Sequence, residues 1–230
     1  MRLFVFLAGL LLTGIAAPGR SQVQDIPECV APRESETRAD MFALPLAIPA
    51  KREDSVNFRI AGKVRSITDG DTIALTGRRN VRFVIRLSDL DTPETSHHAF
   101  TPRDCKCGPV PFRLGQTGGQ KATEVLQSLL AVGDDVVAEC YELDDYGRSV
   151  CHVFKGATNV NLEMIRKGWG WLPDRREWIR DEASFAAEKA ARSAGLGAWG
   201  LADQHSPSTW RHRCWRGGEC DGAVNWPDLP

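Results

Sequence analysis

Carboxylates, an arginine and a threonine are gathered in two short stretches. The first is Asp69-Gly70-Asp71-Thr72, and the second is Arg86-Leu87-Ser88-Asp89-Leu90-Asp91-Thr92-Pro93-Glu94-Thr95. The first has turn chemistry between two strand-like runs, Gly62 to Ile67 and Thr72 to Leu75. The second begins as a strand and stops at Pro93. Acidic oxygens at a turn and a strand exit, with a guanidinium close by, suit a hard metal ion and a phosphate.

The elements that must carry these residues follow from periodicity. Val81, Phe83, Ile85 and Leu87 alternate with Arg82, Val84, Arg86 and Ser88, the period of a half-buried strand. Arg86 therefore points away from the Phe83/Ile85 face. Three strand-like runs fill Asn57 to Leu90, separated by Asp69-Gly70 and by Thr76-Gly77-Arg78-Arg79-Asn80. After a loop from 96 to 117, rich in Pro, Gly and Cys, the residues Ala122, Val125, Leu126, Leu129 and Leu130 recur at helical spacing and end before Gly133. Two more strands, Val136 to Tyr141 and Arg148 to Phe154, flank Glu142 to Gly147. A short helix follows from Asn161, read as its cap, to Lys167. A longer one runs from about Asp174 to Ala194, with Ile179, Ala183, Ala186 and Ala190 in one stripe. The tail from Leu201 reads as loop. Three strands, a helix, two strands and two helices predict an α+β, mainly β fold, a five-stranded oligonucleotide-binding (OB-fold) barrel with three helices.

The 230 residues and 42% hydrophobic content allow one sizeable core with extensions. The predicted division is a leader at 1–17, an arm at 18–55, the barrel domain at 56–200 and a tail at 201–230. The formal net charge of −1 means that any polyanion must be met by a local cluster. Arg2, the apolar run Leu3 to Ile15 and Ala16-Ala17 read as a secretory signal peptide, with an uncleaved anchor as the alternative. Export permits disulfides. Seven cysteines are present, so at least one is free or bonds another chain. Cys140 and Cys151 lie equidistant from the Asp145-Tyr146-Gly147 turn and can meet across a hairpin. Cys214 and Cys220 flank Gly217-Gly218 and can close a small loop. Cys29, Cys105 and Cys107 are unassigned. A zinc site from His97, His98, Cys105 and Cys107 is possible on residue types, but its spacing is not a standard zinc pattern.

In this order and on this plan of strands and helices, the Asp69-Gly70-Asp71-Thr72 turn, the Arg86…Asp91-Thr92-Pro93-Glu94-Thr95 run and the Asp144-Asp145-Tyr146-Gly147-Arg148 hairpin resemble the staphylococcal nuclease (thermonuclease) family over roughly residues 58 to 200. The resemblance implies calcium-dependent endonuclease cleavage of DNA and RNA phosphodiester bonds, leaving 3′-phosphate and 5′-hydroxyl ends. It implies Ca2+ held by the Asp71 and Asp91 carboxylates and the Thr92 carbonyl. Glu94 would be the general base, and Arg86 and Arg148 would bind the scissile phosphate. Tyr146 would grip a neighbouring phosphate or the nucleotide, and Trp171 is the best candidate among the tryptophans for base stacking. Nucleic acid is the expected partner, met by a secreted or periplasmic monomer without stable membrane insertion once the leader is removed.

Each residue also has a plainer reading. Asp69 and Asp144 suit turns, Asp89 either supports the site from behind or is solvated, and Lys121, Arg175, Arg176 and Lys189 suit helix surface. All seven tryptophans lie from Trp169 onward, where anchoring helices and tail on the core is their usual role. Asp145 stands where the family's pattern has a lysine beside the tyrosine. Two rival functions are a barrel that binds single-stranded nucleic acid without cutting it, and an envelope protein that docks a partner. The presence of Arg86, Glu94 and Arg148 together favours the enzyme.

Overall fold

The computed structural model describes residues 55–99, 110–202 and 205–220. The expected leader, most of the arm, and Cys29, Cys105 and Cys107 lie outside these residues, and with the cysteines goes the zinc alternative.

Alternation of apolar and polar residues builds β1 (Phe58–Ile67) and β3 (Arg82–Leu87), and the short, almost wholly buried β2 (Thr72–Thr76) lies between them in an antiparallel meander. A register shift between Val64 and Ser66 bends β1, as a bulge does. β4 (Asp135–Leu143) pairs antiparallel with β1 and with β5 (Ser149–Lys155), and β5 lies parallel to β3. The circuit β1-β2-β3-β5-β4-β1 therefore closes, and the expected five-stranded barrel is present. A two-residue β6 (Thr158–Asn159) adds to the free side of β5. Ile73, Leu75, Ile85, Leu87 and Val153 fill the interior.

The helix α1 (Gly119–Leu129) plugs one opening, with Ala122 and Leu126 fully buried and Val125 and Leu129 packed beside them. The short α2 (Val160–Arg166) is capped by Asn159, whose side chain accepts from Leu162 N at 3.2 Å. Asn161, expected as the cap, is instead buried inside the first turn. Its Oδ1 accepts from Val153 N at 2.9 Å, and its Nδ2 donates to Ser88 O and Cys151 O at 3.0 and 2.9 Å. One amide thus ties α2 to β5 and to the exit of β3.

The second expected helix is shorter than its pattern. It is α3 (Ala183–Ser193), preceded by a 3-10 turn at Arg176–Trp178. Asp89 Oδ2 accepts from the backbone N of both Arg180 and Asp181, at 2.9 and 2.7 Å, and this holds residues before α3 out of a helix. The buried stripe is accordingly Ser184, Ala187 and Ala191, one residue on from the expected Ala183, Ala186 and Ala190. The tail also departs from expectation. Ser206 accepts from Thr209 N, Pro207 opens α4 (Pro207–Trp210), and a π-helical turn, Arg211–Arg216, continues it.

Among the described residues two cross-links are present: Cys140–Cys151 across the β4–β5 hairpin, and Cys214–Cys220 after α4. Among the described residues no helix is long and apolar enough to cross a membrane.

Candidate active site

The turn before β2 is held by its own side chain: Asp69 Oδ1 accepts from Asp71 N at 3.0 Å. Gly70 lets it approach the strand exit. A Cβ there would come within 2.6 Å of Thr92 Oγ1 and 2.9 Å of Ala122 Cβ. The approach brings Asp71 to Thr92, whose N and Oγ1 both donate to Asp71 Oδ2 at 3.1 Å. Thr72 Oγ1 donates to the other oxygen, Oδ1, at 3.1 Å.

Arg86 lies directly across β2–β3 from Thr72. Its Nη1 is 3.1 Å from Asp71 Oδ2, its Nη2 donates to Asp91 Oδ1 at 2.9 Å, and Nη1 also caps the Leu87 and Leu90 carbonyls. One guanidinium therefore bridges the two carboxylates. Asp91 is further fixed by its backbone, which exchanges two 2.8 Å hydrogen bonds with Trp171. Behind the loop, Asp89 sits at φ 65, fully buried, accepting from Ser88 Oγ at 2.6 Å and lying 3.2 Å from His152 Nε2. Its undecided role is thus settled as support from behind. The loop that presents Asp91 is anchored on both sides.

Glu94 is placed by the start of α1. Its carbonyl accepts from Gln116 N at 2.8 Å, and a Cβ on Gly119 would stand 2.1 Å from that oxygen, so only glycine allows the helix so close. Its carboxylate faces His97 Nε2 at 4.0 Å and is bound by Arg211. Arg211 also grips Asp91, Nη1 to Oδ1 at 3.1 Å and Nη2 to Oδ2 at 2.6 Å. Arg211 was not picked out from the sequence. It lies in the segment read as loop, and no local pattern marks it.

Arg148 immediately precedes β5, which runs beside β3 with Arg86 opposite Val150. Its Nε donates to Asp144 Oδ2 at 2.7 Å, and its guanidinium lies over the Tyr146 ring at 5.3 Å. It is near enough to Asp71 to act on its charge. The Asp71, Asp91, Thr92, Arg86 and Glu94 constellation is therefore brought together at one end of the barrel, with Arg148 and Tyr146 at its border. Trp171 is not presented to a ligand. It is 7% exposed, packed against Trp199 with ring centroids 4.2 Å apart. Its ring belongs to a small second core with Ala191 and Ala198, which corrects the stacking role expected of it.

The electrostatics follow from burial among opposed charges. Burial pushes the Asp71 carboxyl up, but Arg86, then Arg148, and the Thr92 hydrogen bond outweigh it and hold it below the usual carboxylate range. Burial pushes Glu94 up, and although His97 and Arg211 oppose this, its carboxyl stays raised. Asp69, beside Asp71, is pushed up to about 7 by burial and by that neighbour. Burial disfavours the charge on Arg211, but Asp91 and Glu94 more than offset it, so the guanidinium stays protonated.

Among the described residues no three His, Cys, Asp or Glu side chains form a ready cluster for a metal. The donors available are all oxygen: two carboxylates, already sharing a cationic group, and the adjacent Thr92 carbonyl. That set fits a hard ion that completes its shell with water and substrate.

A small closed barrel with carboxylates and arginines gathered at one rim defines an OB-type protein. The chain belongs to the family described as staphylococcal nuclease homologue, whose model matches residues 84–200. It is 27% identical over 151 residues to an uncharacterized endonuclease of Haemophilus influenzae, covering 66% of this chain and 72% of that protein. It is 30% identical over 160 residues to a micrococcal nuclease of Shigella flexneri, covering 65% of this chain and 79% of the relative. To endonuclease YhcR of Bacillus subtilis it is 33% identical over 152 residues, 60% of this chain but 11% of that much longer protein.

Proposed function

We propose that this protein is an exported, calcium-dependent endonuclease that hydrolyses DNA or RNA phosphodiester bonds with low sequence specificity and leaves 3′-phosphate ends. The observation that carries the reading is the joining of Asp71 and Asp91 by Arg86, with the half-buried Glu94 tied to Asp91 through Arg211. The names of the relatives support the class of reaction, and the leader-like N-terminus and the disulfides support export.

Asp71, Asp91 and the Thr92 carbonyl would hold calcium, which would supply positive charge to a non-bridging phosphate oxygen. The remaining chemistry belongs to the chain. Arg86 and Arg148 hydrogen-bond the phosphate from two strands, and their forks match its oxygens. Glu94, with a raised pKa in a mostly buried position, takes the proton of the attacking water. The water oxygen bonds to phosphorus, the bond to the 5′-oxygen breaks, and that oxygen takes a proton from solvent water to leave as a hydroxyl. Tyr146, 38% exposed beside Arg148, is placed to meet the next phosphate or sugar.

Digestion of a labelled oligonucleotide after chelation, and again after calcium is restored, tests the reading. Activity should vanish and return, and product ends should carry 3′-phosphate. Glu94→Gln should lower turnover by about 100-fold or more with the fold intact. Cleavage that ignores chelator, or near-normal turnover in E94Q, would remove the calcium or general-base assignment respectively.

A further inference from the structure

Arg211 lies beyond the residues that match the family. Its position is nonetheless built. Trp210 and Cys214 are buried, and the indole N–H groups of Trp210 and Trp215 both donate to Leu114 O, at 3.0 and 2.8 Å. Gln116 Nε2 donates to His205 O just before α4, and the Arg113 guanidinium lies 5.0 Å over the Trp215 ring. Gln116 is the residue whose N–H holds the Glu94 carbonyl. The backbone that carries Arg211 is thus fixed on the same stretch that fixes Glu94.

We propose that Arg211 is a third phosphate-binding arginine of this site, whose guanidinium pairs with Asp91 and Glu94 and turns to the phosphodiester as substrate enters. The proposal rests on the nuclease reading above. Arg211 covers both oxygens of Asp91 and one of Glu94. A cation that takes an Asp91 oxygen must displace part of that contact. Released from Asp91, the guanidinium, a third exposed, can turn its fork to an entering phosphate. The phosphate is the anion that must enter the same space. The anchored backbone leaves only the side chain free to swing, and its fork suits phosphate oxygens. The Arg211 side chain is 33% exposed against 18% for Arg86, so it has the more open approach to an incoming ligand.

The experiment compares the full chain with Arg211→Met and Arg211→Lys by two titrations. The first is calorimetry with calcium and no nucleotide. Here R211M should bind calcium several-fold tighter, because a competing cation has gone. The second, with calcium saturating, uses a nucleoside 3′-phosphate, which has no diester to cleave. Here R211M should bind about tenfold more weakly, with R211K in between. If nucleotide affinity instead rises together with calcium affinity, Arg211 is an occupant that excludes substrate, and the proposal is overturned. It is equally overturned if neither affinity changes, since the contacts are then only a structural ion pair. Should R211M fail to fold, as judged by its urea transition, the same two signs are read from R211K. A wild-type chain that neither binds calcium nor cleaves would sink the nuclease reading itself, whereas active wild type with unaltered variants sinks only this inference.

Discussion

Arg86 and Asp91 face each other at 2.9 Å, Nη2 to Oδ1, while the same guanidinium reaches Asp71 Oδ2 at 3.1 Å. The penultimate residue of β3 thereby holds together two carboxylates from different loops. Without this bridge, two buried negative charges would repel each other.

Arg86→Met should therefore destabilise the protein by about 2–3 kcal/mol in chelator, near the lower end expected for breaking a buried pair. Urea unfolding measures it. If calcium takes the two carboxylates, adding it should return more stability to R86M than to wild type. An equal shift in both would separate Arg86 from the ion site.

Asn161 makes three hydrogen bonds at full burial, one of them to the Ser88 carbonyl just before the acidic loop. Asn161→Leu leaves the Val153 N–H and the Ser88 carbonyl unpaired, while Cys151 O keeps its bond from Ser88 N. A loss of about 2–4 kcal/mol is expected, read as a lower urea midpoint at unchanged slope. A shift of a few tenths would mean that water replaces the amide.

Asp69 carries a pH signature. Its folded pKa is raised from 3.8 to about 7 by burial and by Asp71, so between those values the folded state holds a proton that the unfolded chain has released. Its contribution to stability is present at the acid end and is lost as pH rises through 7. Asp69→Asn keeps an acceptor for Asp71 N and cannot ionise. In chelator, the stability of wild type relative to D69N should fall between pH 4 and 7. A difference that rises over that window would contradict the assignment.

Trp171 separates packing from ligand stacking. Trp171→Ala should cost about 3 kcal/mol by emptying the space against Trp199. Trp171→Phe, once folded, should bind oligonucleotide within about twofold of wild type, because the ring does not reach the surface. A large loss of affinity in folded W171F would return the stacking role to it.

Local chemistry made much of this protein legible in its sequence. Alternation placed Arg86 off the Phe83/Ile85 face, turn residues placed Asp71, and symmetry about a hairpin paired Cys140 with Cys151, because each depends on neighbours along a strand or across one turn. The bounds of α3 are not legible in the sequence because Asp89, far away in the chain, takes the N–H groups of Arg180 and Asp181 that a longer helix would use. Asn161 reads as a cap in the sequence because asparagine at the start of a helix usually is one, and its three partners lie outside its own helix.

The sequence alone determined the barrel plan and the acidic and arginine residues of the site, since periodicity and turn chemistry act over a few residues. Only the tertiary structure decided that Trp171 is core and that Arg211 enters the pocket. Burial and ion pairing depend on what folding brings alongside, and Arg211 meets Asp91 across a separation of 120 residues.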